Sequence, residues 1–215
     1  MKTLIYLGVN HGGNFASHIQ SRLHDEYYGF EAQPALALML QQKYSNNPNV
    51  NIIHAAVGVD NEPKDFYVQN ANTASDGAAS SLGVISQDYL DSSPNHIILK
   101  ETVRVPGISL PSFLASKGIS EIETYISDIQ GMDYIVLSTL KDFIDTKRIK
   151  NIQVEAECDY KRGRAYNLPY SNKTSLFHEL LDENYDLASI QQGGCWDPAS
   201  PEAWWHRDLW FKVKG

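Results

Sequence analysis

Apolar runs of strand length alternate with segments of helical length along most of this chain, and that alternation constrains the fold more than any other feature. The first run, TLIYLGV at 3–9, is followed by a helical pattern over 14–23. Tyr27 to Glu31 form the next run. Pro34 then stands where a helix begins, its fixed φ and missing N–H suiting a first turn, and ALALMLQQKY carries the helix on towards Asn46, Asn47 and Pro48. VNIIHAAVG (50–58) reads as a third strand, ETYISDIQG (123–131) as a fourth running into a turn, and IKNIQVEAE (149–157) as a fifth, with one helix expected over 132–144. Parallel strands need crossovers of about a dozen residues or more, so this order predicts an α/β sheet with a parallel core.

The stretch 60–105 breaks the pattern. KDFYVQ and HIILKETVRV both alternate around a small, polar segment, which predicts an antiparallel excursion beside the main sheet. Ser109 is placed to cap a helix that ends at Gly118. Residues 171–183 read as a further helix, and YDLASIQQ and LWFKVK as a closing pair of strands around a tryptophan-rich loop. With no internal repeat, the 215 residues read as a single domain, 1–215.

A net charge of −8 argues against a nucleic-acid partner held by broad phosphate neutralisation. Two cysteines, Cys158 and Cys195, cannot build a disulfide framework, which fits a reducing compartment. MKTLIYLGVN lacks the pattern of a secretory leader, and no run approaches the roughly 20 apolar residues of a membrane span. A soluble, cytoplasmic protein with no membrane partner is expected; oligomeric state is left open.

Ligands of open α/β sheets sit beyond the carboxyl ends of the strands. Gly8, Asn10, Gly12 and Gly13 end the first run; the spacing differs from the dinucleotide pattern GxGxxG, and by itself it fits a plain strand-to-helix turn equally well. Glu31 ends the second strand, 23 residues after Gly8, close to the ~20 expected of an acid that accepts hydrogen bonds from ribose hydroxyls. Asp128 ends the fourth strand just before a glycine, where it could serve as a general base or counter-charge, or only as a helix cap.

Taken together, these residues resemble the FkbM-type S-adenosylmethionine-dependent methyltransferases. The family's opening Asp-x-Gly-Ala-Asn-x-Gly is similar to YLGVNHG, with Gly8, Asn10 and Gly12 on matching positions and Tyr6 where the family has Asp. Its Phe-Glu-Pro step resembles GFEAQP, with Glu31 as the acid; its Ala-Val-Gly strand resembles AAVG at 55–58; and its Ser-Ser-Leu patch resembles Ser80, Ser81 and Leu82. The family's Asp-Val-Glu/Gln-Gly-x-Glu is matched by DIQGMD at 128–133, with Ile126 where a lysine is common, and its later Val-Glu by VEAE at 154–157.

The resemblance implies a Rossmann-like class I methyltransferase fold: a mostly parallel seven-stranded sheet with helices on both faces and an antiparallel last strand. It implies S-adenosyl-L-methionine as cofactor, with the glycine turn at the methionyl part, Glu31 at the ribose, and Val57, Ser80 or Ser81 at the adenine. Transfer to a hydroxyl of a sugar, glycan or related small metabolite is the leading expectation. N- or carboxyl-methylation, or a catalytically inactive binding protein of the same fold, are the alternatives.

A hydroxyl acceptor must lose its proton, and Asp128, Glu155 and Glu157 come from adjacent strand ends, the last two facing one side of an extended strand. Three such acids are also the ligand types that Mg²⁺ takes, but no tight metal spacing is visible and no metal ligand is assigned. Acceptor recognition is expected from the variable segments: Tyr160, Lys161, Arg162, Arg164, Tyr166 and Tyr170, and further on Trp196, Trp204, Trp205 and His206. The bland readings are a solvated loop and aromatic packing over a sheet edge. His11, beside the glycine turn, reads equally well as a backbone hydrogen-bonding group.

Overall fold

The computed structural model describes residues 1–71, 79–92, 97–159, 164–191 and 206–215. The chain alternates as expected through β1 (Thr3–Leu7), α1 (Gly13–Ser21), β2 (Glu26–Glu31), α2 (Pro34–Tyr44) and β3 (Val50–His54). An excursion follows: β4 (Ala56–Gly58), β5 (Lys64–Ala71), α3 (Gln87–Ser92), β6 (Ile97–Val105) and β7 (Gly107–Ser109). The core resumes with α4 (Leu110–Lys117), β8 (Ile122–Ser127), α5 (Asp133–Ser138), α6 (Lys141–Asp145) and β9 (Ile149–Glu157), and closes with α7 (Thr174–Leu181), β10 (Tyr185–Gln191) and β11 (His206–Val213).

Seven strands form the main sheet in the order β10-β11-β9-β8-β1-β2-β3. The β9-β8-β1-β2-β3 core is parallel, and β11 runs antiparallel to both β9 and β10. Because successive strand residues point to opposite faces, β1 sends Ile5 and Leu7 one way and Leu4 and Tyr6 the other. On the first face these join Tyr125, Ile152 and Val154 under Leu114, Val136, Ile144 and Phe177 of α4, α5, α6 and α7. On the second face, Phe15 of α1 and Leu40 of α2 cover Tyr6, Tyr27, Val50 and Ile126. Helices on both faces therefore account for the near-continuous apolar runs of the central strands.

Three local expectations are corrected. VNIIHAAVG is not one strand: the chain changes partners at Ala55, whose N–H donates to the Glu31 carbonyl, and Ala56–Gly58 pairs in parallel with β7 in a separate ribbon. The helix over 132–144 is two short helices. The hydroxyls of Ser138 and Thr139 bond back to the carbonyls of Ile135 and Val136, competing with the helical ladder where it breaks. Ser109 occupies the N-cap position of α4 without a side-chain cap bond; its backbone N–H donates instead to Asn61 Oδ1. The antiparallel excursion is present as the β5–β6 pair. No helix among the described residues is long and apolar enough to cross a membrane.

Candidate active site

A cleft opens at the carboxyl ends of β1, β2 and β8, where the loops after these strands meet β4 and β5, and encloses about 650 Å³ including its solvent-open mouth. Its construction starts with the glycine turn. Gly8 has φ +78°, and a Cβ there would lie 1.9 Å from the Asp128 carbonyl oxygen, so only glycine lets the loop after β1 lie against the loop after β8. The N–H groups of Gly8 and Val9 both donate to the Phe30 carbonyl, and Asp128 N–H donates to that of Leu7, which ties all three strand ends together.

Glu31 closes one side. Its Oε2 accepts from the backbone N–H of Asn10 at 2.7 Å and its Oε1 from that of Gln33 at 2.8 Å. Burial pushes this carboxyl above the usual range, while the amide bonds of Gln33, Asn10 and Ala32 and the charge of His11 pull it back. A carboxylate has about four lone-pair sites, so with these amides in place the group can still accept from a ligand hydroxyl in the cleft. Asn10 Oδ1 is buried and has no hydrogen-bond partner among the described residues.

Asp128 stands on the opposite side, exposed towards the cleft. Although the carboxyl opens to the cleft, the protein packed around its base desolvates it and, with the charges of Asp133, Asp208 and Glu31, pushes it up to about 7, opposed by the hydrogen bond from Gln130. Asp133 lies beneath, fully buried, accepting from Ser127 Oγ at 2.5 Å and Ile129 N–H at 3.0 Å, and burial raises it to about 6. Asp128 is not a helix cap; α5 starts after Met132 with no side-chain cap bond.

Gly8, Asn10, Glu31, Val57, Ser80 and Asp128 all line this cleft, together with Phe30, Leu36, Phe66, Leu82, Ile129 and Met132. Gly12 lies outside it, at the N-cap of α1 against Leu40. Ser81 also lies outside, its hydroxyl donating to the Gln130 carbonyl at 2.7 Å. Glu157 is turned away: it accepts from Ala165 N–H at 3.0 Å and pairs with Lys173 at 3.3 Å.

Glu155 lies next to Asp208 across the β9–β11 pair, its Oε1 3.9 Å from His206 Nδ1. Burial, then the charges of Asp128, Asp133, Asp208 and Glu157, raises it well above the carboxylate range. Burial also holds His206 neutral, down at about 4. Its ring stacks between Tyr89 and Tyr166, with centroids at 5.9 and 6.3 Å. Tyr6, on the sheet face under α1, packs edge-on against Phe15 and is pushed up to about 12 by burial and the charge of Asp128.

The expectations for Tyr160, Lys161, Arg162, Cys195, Trp196, Trp204 and Trp205 lie outside the described residues. Arg164 is exposed, Tyr170 packs on the core and His11 is exposed beside the turn. Ile129, Gln130 and Met132 also line the cleft without being site candidates from sequence; their place inside DIQGMD, around a strand-end acid, is the signal that marks them. Among the described residues no group of three His, Cys, Asp or Glu side chains could hold a metal ion.

A five-stranded parallel core, an antiparallel strand inserted between β9 and β10, and a cleft joining an acid after β2 to an acid after β8 define a Rossmann-like class I methyltransferase fold. The family described as methyltransferase FkbM domain matches residues 7–185, and the chain belongs to it. The cofactor of this class is S-adenosylmethionine. Among solved structures, methyltransferase FkbM from Methylobacillus flagellatus KT is similar in fold, at 10% identity and TM-score 0.53 over 97% of this chain and 43% of that one.

Weaker likenesses are to TrmK of M. capricolum in complex with S-adenosyl-homocysteine (10% identity, TM-score 0.48, 99% of this chain, 62% of that one) and to Aeropyrum pernix fibrillarin with S-adenosyl-L-methionine (13%, 0.47, 98% and 65%). The chain spans less than two thirds of the length of each of the three. No curated protein matches the sequence.

Proposed function

We propose that this chain, read as a single methyltransferase domain over 1–215, transfers a methyl group from S-adenosyl-L-methionine to a hydroxyl of a sugar, glycan or related small metabolite. The observation that carries this reading is the cleft itself, with Glu31 on one side and Asp128 on the other. The residues present suit the cofactor. Glu31 keeps acceptor capacity for a ribose hydroxyl, and Val57, Phe66 and Leu82 offer apolar walls for a purine, with Ser80 beside them. The unpartnered, buried Asn10 Oδ1 is an acceptor available to an ammonium group.

When bound, the cofactor supplies an electrophilic methyl on a sulfonium; the C–O bond forms as the C–S bond breaks. The protein's share is to align the acceptor oxygen and take its proton. Asp128 is the residue we assign as that base, since it faces the cleft and is raised to about 7. Glu155, which sits beside Asp208 and His206 and does not line the cleft, and Glu157, committed to Ala165 and Lys173, do not share that role. A cytoplasmic setting belongs to the same reading, supported by the free, buried thiol of Cys158.

The test is methyl transfer from labelled cofactor to a panel of sugars and small polyols, with identification of the methylated atom. Asp128→Asn is expected to lower transfer by roughly 10²–10⁴-fold while cofactor binding persists. Methylation of an amine or carboxylate, or binding with no transfer to any acceptor, would overturn the hydroxyl assignment.

A further inference from the structure

Asp128 does not stand alone at the cleft. The side-chain amide of Gln130 donates from Nε2 to Asp128 Oδ1, and its Oε1 accepts from the hydroxyl of Tyr166. Three features hold this amide in place. Gln130 itself has φ +55°, a left-handed backbone unusual for a residue with a side chain, and its carbonyl is fixed by the Ser81 hydroxyl at 2.7 Å. Gly131 follows at φ +94°, where a Cβ would lie 3.0 Å from the Tyr166 ring. Tyr166, 3% exposed, is braced by its stack on His206 and by a β-bridge to Ile85.

An amide has one donor end and one acceptor end, so whatever fixes one end dictates what the other can do. The Tyr166 phenol is buried among Glu155, Tyr89 and Asp128, which raises it well above its ordinary value and keeps its proton on the oxygen. It is a permanent donor. Its donation to Oε1 leaves Nε2 facing Asp128, and an N–H facing a carboxylate favours the ionised form. Asp128 protonated on its second oxygen would still accept from Nε2, but through a weaker, neutral bond, so the fixed amide favours the carboxylate.

We propose that Tyr166 and Gln130 form a positioning relay that keeps Asp128 ionised and leaves its second oxygen for the acceptor hydroxyl. The proposal rests on the reading of Asp128 as the base. The groups around it otherwise work against ionisation: Asp133 at the start of α5, Asp208 on β11 and Glu31 on β2 all raise it, and Glu155 on β9 and Tyr6 on β1 interact with the same charge. Among these neighbours Gln130 is the one that lowers it.

The test is a ¹³C NMR titration of the Asp128 carboxyl in the full chain, assigned with Asp128→Asn, for wild type, Gln130→Ala, Tyr166→Phe and the double variant. Gln130→Ala is expected to raise the midpoint by about one pH unit, Tyr166→Phe by less, and the double variant no further than Gln130→Ala alone. Phenylalanine keeps the ring, so thermal melting of Tyr166→Phe should be close to wild type. An unchanged midpoint in Gln130→Ala, or additive shifts in the double variant, would overturn the relay. Because the titration uses neither cofactor nor acceptor, that failure is separate from a failure of methyl transfer with the shifts present, which would overturn the base assignment instead.

Discussion

The carboxylate of Glu31 holds the backbone N–H of Asn10 at 2.7 Å, so the acid that faces the cleft also fixes the glycine turn opposite it. Since the same carboxylate accepts from Gln33, removing it strands two amides in a site that is 6% exposed. Hydrogen bonds to charged groups contribute about 1.5–3 kcal/mol. Glu31→Ala is therefore expected to lower stability by about 2 kcal/mol and to weaken S-adenosylhomocysteine binding at least tenfold, as read by melting and calorimetry. Glu31→Gln should recover part of the stability and little of the affinity.

Gly8→Ala sets a methyl group against the Asp128 carbonyl at 1.9 Å and forces a left-handed backbone on a residue with a side chain. The conformation alone costs about 1–2 kcal/mol, and the clash adds to it. Thermal melting should show a loss of roughly 3 kcal/mol or more, together with loss of cofactor binding. Gly13→Ala, with open space around its Cβ, is the control and should melt as wild type does.

Much of the fold is legible in the sequence because burial on both faces of a parallel sheet writes itself as apolar runs, and because Pro34 marks where α2 begins. The change of partners at Ala55 is not legible: both partners are apolar, and a run of apolar residues does not record which strand it pairs with. The break between α5 and α6 is hidden because Ser138 and Thr139 are compatible with a helix until their hydroxyls bond backwards. In the site, Glu31 and Asp128 stand out because strand ends can be located. Tyr166 stands out only as one of several tyrosines in a variable segment; its bond to Gln130 is not legible, because it joins positions 36 apart through the tertiary fold.

Glu155 gives a pH signature with a definite sign. Its folded-state value is raised, so between the unfolded value and the folded one the native protein binds the extra proton, and stability falls as pH rises through that window. Glu155→Gln removes this loss. Its melting temperature should exceed wild type by a few degrees at pH 8, and the difference should vanish below about pH 3, where the side chain is protonated in both states. Comparison at each pH cancels the opposite trend of His206, whose depressed value of about 4 makes stability rise with pH between there and its unfolded value.

Tyr6 stands where the family carries an acid, yet it is 6% exposed and packed against Phe15 and His18 beneath the sheet end. Tyr6 does not line the cleft. Tyr6→Asp buries a charge that already faces Asp128 and Asp208 and is expected to cost several kcal/mol with no gain in cofactor affinity. Tyr6→Phe should bind cofactor as wild type does, since no bond to the cleft is lost.

Binding of S-adenosylhomocysteine, by calorimetry and by thermal shift alongside NAD, tests the central claim most directly. Ligand at ~100 times its dissociation constant should stabilise the wild type by about 2.7 kcal/mol and Glu31→Ala, bound at least tenfold more weakly, by at most about 1.4 kcal/mol at the same concentration, with no effect from NAD. Stabilisation by NAD without any by S-adenosylhomocysteine, or equal binding to wild type and Glu31→Ala, would contradict the assignment of this cleft as the cofactor site.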